Sequence, residues 1–242
     1  MEGPSIVIAC EEFKPFFKQK IKKATGTAKI PLAKLKGNQL LRARSWGKHL
    51  LLFFQGMDFR IHFLMFGSYR IDKPRENRVP KLQLDYDGHK IYFYSCAIKQ
   101  FNAQDLKAYD WSVDLMSPKW DAAQAAAALK AKPDDQVCDL LMNQDIFAGL
   151  GNIMKNEILF NLKMHPETLI RELTPKRVRD VVKEAEAYAW QFYEWKKANV
   201  LKRNWKIMRK KTCPTCERKV KKVATGKLQR ISHFCAYCQE KR

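Results

Sequence analysis

Two cysteine pairs constrain the end of this chain more tightly than any other feature constrains the rest. Cys213-Pro-Thr-Cys216 is followed, eighteen residues later, by Cys235-Ala-Tyr-Cys238. Each pair folds into a tight turn that aims two thiolates at one point. Two such turns on adjacent strands complete a tetrahedral four-sulfur site suited to Zn2+. Four thiolates leave no open coordination position, so the metal is expected to be structural. A redox CxxC would occur once, beside a βαβ pattern that this sequence lacks. A module of roughly thirty residues buries too little to fold alone, so the metal would supply its folding energy. Between the pairs lie Lys219, Lys221, Lys222, Lys227 and Arg230, which make the hairpin basic. The plainer alternative at this point is a zinc ribbon that binds only protein.

The basic character extends along the whole chain. Forty-six Lys and Arg face 25 Asp and Glu, a net charge of +21. Residues 201–242 hold 14 of those cations against only Glu217 and Glu240. A field of this sign draws polyanions, nucleic acid foremost. The other three cysteines, Cys10, Cys96 and Cys138, are scattered among apolar neighbours. An odd total with isolated thiols excludes a disulfide framework and fits a reducing compartment. No apolar run approaches bilayer length, and no signal peptide opens the sequence, so no membrane association is expected. A cytoplasmic protein, nucleoid-associated if bacterial, is the expectation. With 46% hydrophobic residues, 14 of them Phe, the chain can build a sizeable core.

Three textures divide the chain, predicting an α+β multidomain protein. Residues 1–115 carry short β-like runs, at 50–54, 60–65, 81–86 and 90–94. The third alternates with period two, and Gly56-Met57-Asp58 and Asp87-Gly88-His89 read as hairpin turns. This pattern predicts a β-sandwich, flanked by a helix over 12–23. Residues 118–200 read as helical. Asp121 and Gln124 suggest a capping box, and Pro133-Asp134-Asp135 a second helix start. A short helix follows over 152–160, and Thr174-Pro175 opens a long one over 175–197 with Val178, Val181, Val182 and Ala185 on one face. A basic connection leads to the zinc finger at 208–242.

Four separated stretches, in order, now resemble one family. Glu2-Gly3-Pro4 resembles the opening of endonuclease VIII. Trp46-Gly47-Lys48-His49-Leu50 resembles the family's Gly-Lys strand. Gly149-Leu150-Gly151-Asn152-Ile153, followed by Glu157, resembles its helix–two-turns–helix element. Gln229-Arg230, just before Cys235, resembles the tip of its zinc finger. The resemblance to the formamidopyrimidine-DNA glycosylase / endonuclease VIII family runs along essentially the whole chain. It implies an N-terminal β-sandwich, a helix–two-turns–helix domain and a C-terminal β-hairpin zinc finger. The function it implies is base-excision repair by a bifunctional DNA glycosylase / AP lyase, a monomer acting on duplex DNA that carries oxidised bases or abasic sites.

In that family the target base is flipped from the stack, and the chain's own N-terminal amine attacks the sugar C1′. The base is expelled, a Schiff base forms, and elimination cuts the strand. An α-amine, with a pKa of roughly 7.7–8.0, is on the order of a tenth neutral at pH 7. Glu2 matches the carboxyl group that shuttles protons beside the amine. Here the sequence departs from the pattern. The family's nucleophile is a proline uncovered by methionine removal, whereas this chain reads Met1-Glu2. Three readings stand: Met1 donates its primary amine, the N-terminus as written is altered, or the protein binds damaged DNA without cutting it.

The resemblance also assigns DNA contacts. Lys48 would reach a phosphate at the lesion, although a lone Lys at a strand start is otherwise only an end charge. Asn152 would bind a phosphate at a helix N-terminus and serve equally as a cap. Arg230 would grip phosphates from the finger's tip. Met65 matches the residue that plugs the hole left by the flipped base, with Phe66 as competitor; the plainer reading puts either in the core. The second intercalating loop would fall at 96–101, where nothing matches. His62 reads as a satisfied core histidine. Glu2-Gly3-Pro4 leans toward oxidised pyrimidines and Met65 toward oxidised purines. A zinc-ribbon partner of ribosomes or RNA polymerase is a third class. It leaves the Glu2 and Gly151-Asn152 stretches unexplained and predicts no preference for abasic DNA.

Overall fold

A computed structural model describes residues 1–240. By contacts the chain divides into two compact units. The first holds Met1 and residues 5–109; the second holds residues 2–4 and 110 onward.

The first unit opens with helix α1 (Gly3–Glu12), whose first two residues belong by contact to the second unit. Its strands are β1 (Lys23–Thr25), β2 (Leu40–Trp46), β3 (His49–Phe54), β4 (Met57–Ile71), β5 (Leu82–Asp85) and β6 (Lys90–Phe101), followed by the short helix α2 (Ala103–Lys107). They form one antiparallel sheet in the order β1-β5-β6-β4-β3-β2. Leu50 and Leu52 of β3, Phe59 and Ile61 of β4, Leu82 and Leu84 of β5 and Phe93 of β6 share one apolar core with Ile6 of α1 and Phe13. The strands anticipated as a sandwich belong to a single hydrogen-bonded sheet that contributes to one apolar core. The predicted alternation in β5 holds, with Leu82 and Leu84 buried between less buried neighbours. The flanking helix lies earlier than expected. Beyond Glu12, residues 13–23 form no α-helix: Lys14–Phe16 is a single 3-10 turn containing Pro15, which has no N–H to continue a helix. The run Ile6-Val7-Ile8, poor in helix propensity, is helical because Ile6 and Ile8 are buried.

The second unit contains α3 (Ala122–Lys130), α4 (Val137–Leu140), α5 (Asn152–Asn161), α6 (Pro175–Lys197) and the hairpin of β7 (Lys221–Thr225) and β8 (Arg230–Phe234). Asp121 caps α3 by accepting from the N–H groups of Ala123 and Gln124. The expected capping box is only half made, because the Gln124 side chain bonds Ser112 and Asp110 instead. The helix expected from Pro133 begins later, at Val137. Thr174 Oγ1 caps α6 by accepting from Arg177 N at 3.3 Å, and Val178, Val181, Val182 and Ala185 are its buried face. Among the described residues no helix is long and apolar enough to cross a membrane.

Candidate active site and nucleic-acid interface

Glu2 belongs to the second unit, and its carboxylate sits at the N-terminus of α5. Oε1 accepts from Ile153 N at 2.8 Å and Oε2 from Met154 N at 3.2 Å. The first N–H groups of a helix have no partner within it, and its dipole favours an anion there. Gly151 makes this placement possible: a Cβ at that position would lie 2.5 Å from Glu2 Cδ. The neighbouring peptide is tied down as well, since Gly3 N donates to Gly149 O at 2.8 Å. The Gly-Leu-Gly-Asn motif and the Glu2 motif, 150 residues apart in the chain, are therefore two halves of one carboxylate cradle.

Asn152 is the first residue of α5. Its Nδ2 donates to Ile231 O at 3.0 Å, while its Oδ1 is buried without a partner. The donor expected to face a phosphate is thus engaged with β8. One turn on stands Lys155, which sequence reasoning missed. It is 1% exposed. Its ammonium donates to Ser232 Oγ at 2.8 Å and lies 3.5 Å from Ile231 O. Burial, with Arg230 adding to it, pulls its pKa down to about 8, against the opposing pull of Cys138, Asp139 and Glu2. Asn156 Oδ1 accepts from His233 N at 2.8 Å. Glu157, fully buried, accepts from Lys206 N, Ile207 N and Met208 N at 2.8, 3.0 and 2.7 Å. The polar face of α5 therefore holds the finger strand and the connection leading to it by their backbone atoms. For Lys155 and Asn156 the sequence signal was the polar run Lys155-Asn156-Glu157 in the middle of α5.

Arg230 is exposed at the start of β8, as expected for a phosphate contact. The turn beside it is docked on α4: Asp139 accepts from Lys227 N at 2.7 Å and Leu228 N at 3.2 Å. The four cysteine sulfurs lie within 4.8 Å of one another. Cys213 and Cys238 sulfurs are 3.8 Å apart, and those of Cys216 and Cys235 are 3.4 Å apart. A tetrahedron with zinc–sulfur bonds of about 2.3 Å has edges of about 3.8 Å, so the four residues fit a zinc ion. The other cysteines behave as small buried groups: Cys96 and Cys138 are buried and Cys10 half-buried.

In the first unit, Lys48 lies in the turn between β2 and β3, one residue before the strand it was expected to begin. His49 and His62 are cross-strand partners, with ring centres 5.5 Å apart. Burial, helped by Arg60 and His62, lowers the His49 pKa to about 4. His62 is also lowered, by burial first and then by the charges of Lys48, the N-terminal amine and Arg60. His62 is therefore not a core histidine: it is half-buried, in the field of the two amines assigned to the lesion. Met65 and Phe66 are 72% and 76% exposed, which overturns the core reading for both. The segment 96–101, where a second intercalating loop would fall, is regular β6 paired with β4.

The β unit holds His62 in the field of Lys48 and the N-terminal amine, and the helix–finger unit holds a buried carboxylate and a basic hairpin, features suited to a nucleic-acid partner. Family models agree. The formamidopyrimidine-DNA glycosylase N-terminal domain matches residues 8–97, and the formamidopyrimidine-DNA glycosylase H2TH domain matches residues 112–190. The chain belongs to the formamidopyrimidine-DNA glycosylase / endonuclease VIII family. Mouse endonuclease 8-like 3 is 31% identical over 204 residues, 80% of this chain and 33% of that protein. Human endonuclease 8-like 2 is 29% identical over 200 residues, 76% of this chain and 58% of that protein. The chain spans about a third of the length of the endonuclease 8-like 3 proteins it matches. The fold is that of Lactococcus lactis formamidopyrimidine-DNA glycosylase, solved non-covalently bound to DNA containing an AP site (TM-score 0.87, 20% identity, 100% of both chains). A viral DNA glycosylase shares it (TM-score 0.84, 18% identity, 99% of this chain and 100% of that one).

Proposed function

We propose that the chain is a base-excision DNA glycosylase with AP lyase activity, acting on duplex DNA that holds oxidised bases or abasic sites. The observation that carries this reading is the Glu2 cradle: a buried carboxylate, fixed by two backbone N–H groups, joined by one peptide bond to the amine-bearing residue 1. The Lactococcus enzyme's AP-site complex supports the same class of partner. Similarity to endonuclease 8-like proteins supports the endonuclease VIII branch.

The neutral amine of Met1 attacks C1′ of the flipped nucleoside. The C1′–N bond breaks, and its electron pair leaves with the base. The amine gives a proton to Glu2, whose ionised form the helix N-terminus favours. As the sugar ring opens, O4′ takes a proton from Glu2 and a Schiff base remains. Loss of a C2′ proton then expels the 3′ phosphate and cuts the strand. Lys48, Asn152 and Arg230 hold phosphates around the lesion. For Asn152 this requires its amide to leave Ile231 O. Met65 and Phe66 fill the emptied place in the stack. Zinc on Cys213, Cys216, Cys235 and Cys238 would hold the finger's shape.

Borohydride trapping on a duplex with one abasic site, followed by peptide mass mapping, tests this reading. A covalent adduct on Met1 is expected, with Glu2→Gln retaining binding but losing base release. An adduct on Lys48 would replace the nucleophile. Tight, selective binding with no adduct would leave a protein that recognises damage without cutting.

A further inference from the structure

The apolar bulge of β4 does not stand alone. The β4–β6 register runs from Phe63 opposite Cys96 directly to Ser68 opposite Tyr94. Residues 64–67 are thus looped out against the single residue Ser95. The loop is built rather than frayed. A Cβ on Gly67 would lie 2.8 Å from Phe63 Cα and from Ser95 O, so only glycine closes it. It presents three consecutive large apolar side chains to solvent, Leu64 at 50%, Met65 at 72% and Phe66 at 76% exposure. Contiguous exposed apolar surface of this kind marks a binding site.

Beneath it is a cavity of about 510 Å3, lined by those three residues with Ser95, Arg75 and Arg78. The two arginines come from the β4–β5 connection. Arg75 is held in place: its backbone N–H donates to Tyr94 Oη at 3.0 Å, and its guanidinium lies 5.7 Å from the centre of the buried Tyr94 ring. Arg78 is exposed. Glu76 lies between them in sequence, yet among the described residues no carboxylate forms an ion pair with either guanidinium. Two unneutralised guanidiniums against an apolar wall match a phosphodiester beside an unstacked base. The planar fork grips phosphate oxygens, and the wall covers a base face.

We propose that Arg75 and Arg78 form a phosphodiester site that anchors the nucleic-acid strand running past the Leu64-Met65-Phe66 bulge. The proposal rests on the DNA reading above and adds to it a contact on the β4–β5 connection. Each phosphate neutralised releases counterions and adds about 0.9 to the slope of log affinity against log salt.

The test is fluorescence anisotropy of the full chain with a duplex carrying a stable abasic-site analogue, between 50 and 200 mM salt. Arg75→Ala/Arg78→Ala is expected to flatten the slope by about 1.8 and weaken binding at least about tenfold at the lower salt. R78A alone, at the surface where folding is indifferent to it, should give about half the change in slope. R75K/R78K should restore the slope, and Phe66→Ala should weaken binding without altering it. An unchanged slope in both R75A/R78A and R78A would overturn this site while leaving the DNA reading in place. A wild-type chain with no salt-dependent DNA binding would overturn both.

Discussion

In the first unit the buried side chains are apolar almost without exception; among the described residues Ser5 is its one buried polar side chain. In the second unit Glu2, Lys155, Asn156 and Glu157 are all buried, each spent on backbone or hydroxyl groups far away in the chain. The side chains of the β unit are thus held by non-directional burial, and its candidate Lys48, Met65 and Phe66 lie on a turn and a bulge outside the core. The helical unit builds its site and its stability from the same polar atoms. A buried polar network that is fully paired specifies geometry, and one left half-paired is costly. Damage to the first unit's functional residues should leave its fold intact, whereas damage to the second unit's should cost both.

The largest expected effect concerns the finger. Among the described residues its apolar cluster is Phe160, Ile207, Val220, Cys213 and Cys235, with Cys216 and Cys238 packed against it. Removing the metal should therefore cost on the order of 10 kcal/mol of that module's folding free energy. Hydrogen exchange should become fast across 213–238 on chelation, with one zinc released per chain, while β3 and β4 stay protected. Protection of the finger without metal would remove zinc from its folding.

Next comes a direct contrast between the units. Glu157→Ala leaves three backbone N–H groups without their acceptor, two of them buried, and should cost about 4 kcal/mol. M65A/F66A removes side chains already in water and should change stability by no more than about 0.5 kcal/mol. Denaturant melts of the two variants check this; equal losses would break the comparison.

The smallest effect is a pH dependence. Lys155 keeps its proton to about pH 8 in the fold, against 10.5 for the ordinary group. Between those values the unfolded chain binds more protons. The stability of wild type relative to Lys155→Met should therefore rise from about pH 8 to about pH 10.5, by on the order of 3 kcal/mol. Melts at pH 7 and pH 10 measure it. A constant difference would mean that Lys155 is hydrated in solution.

Sequence legibility follows the range of the interactions. The cysteine spacing, the Thr174 cap and the β5 alternation depend on residues within a few positions of one another, and each stands where the sequence places it. The helix expected over 12–23 fails at Pro15, and the helix that does form lies earlier for a tertiary reason. The β-branched run at Ile6-Val7-Ile8 carries little helix preference of its own, and its burial outweighs that preference. Met65 and Phe66 could not be placed in or out of the core from sequence, because their exposure follows from a register slip between two strands.

The candidate site divides the same way. The sequence by itself determined which residues are candidates for the chemistry: a four-thiolate ligand set, a basic hairpin, and Glu2 beside residue 1. Only the tertiary structure decided that Glu2 meets the N-terminus of α5 across the gap at Gly151, that Lys155 is buried against β8, and that Arg75 and Arg78 line the cavity under the bulge. Ligand spacing and capping are short-range and written in neighbouring letters. A hydrogen bond between residues 2 and 153 has a geometry that exists only once the chain between them has packed.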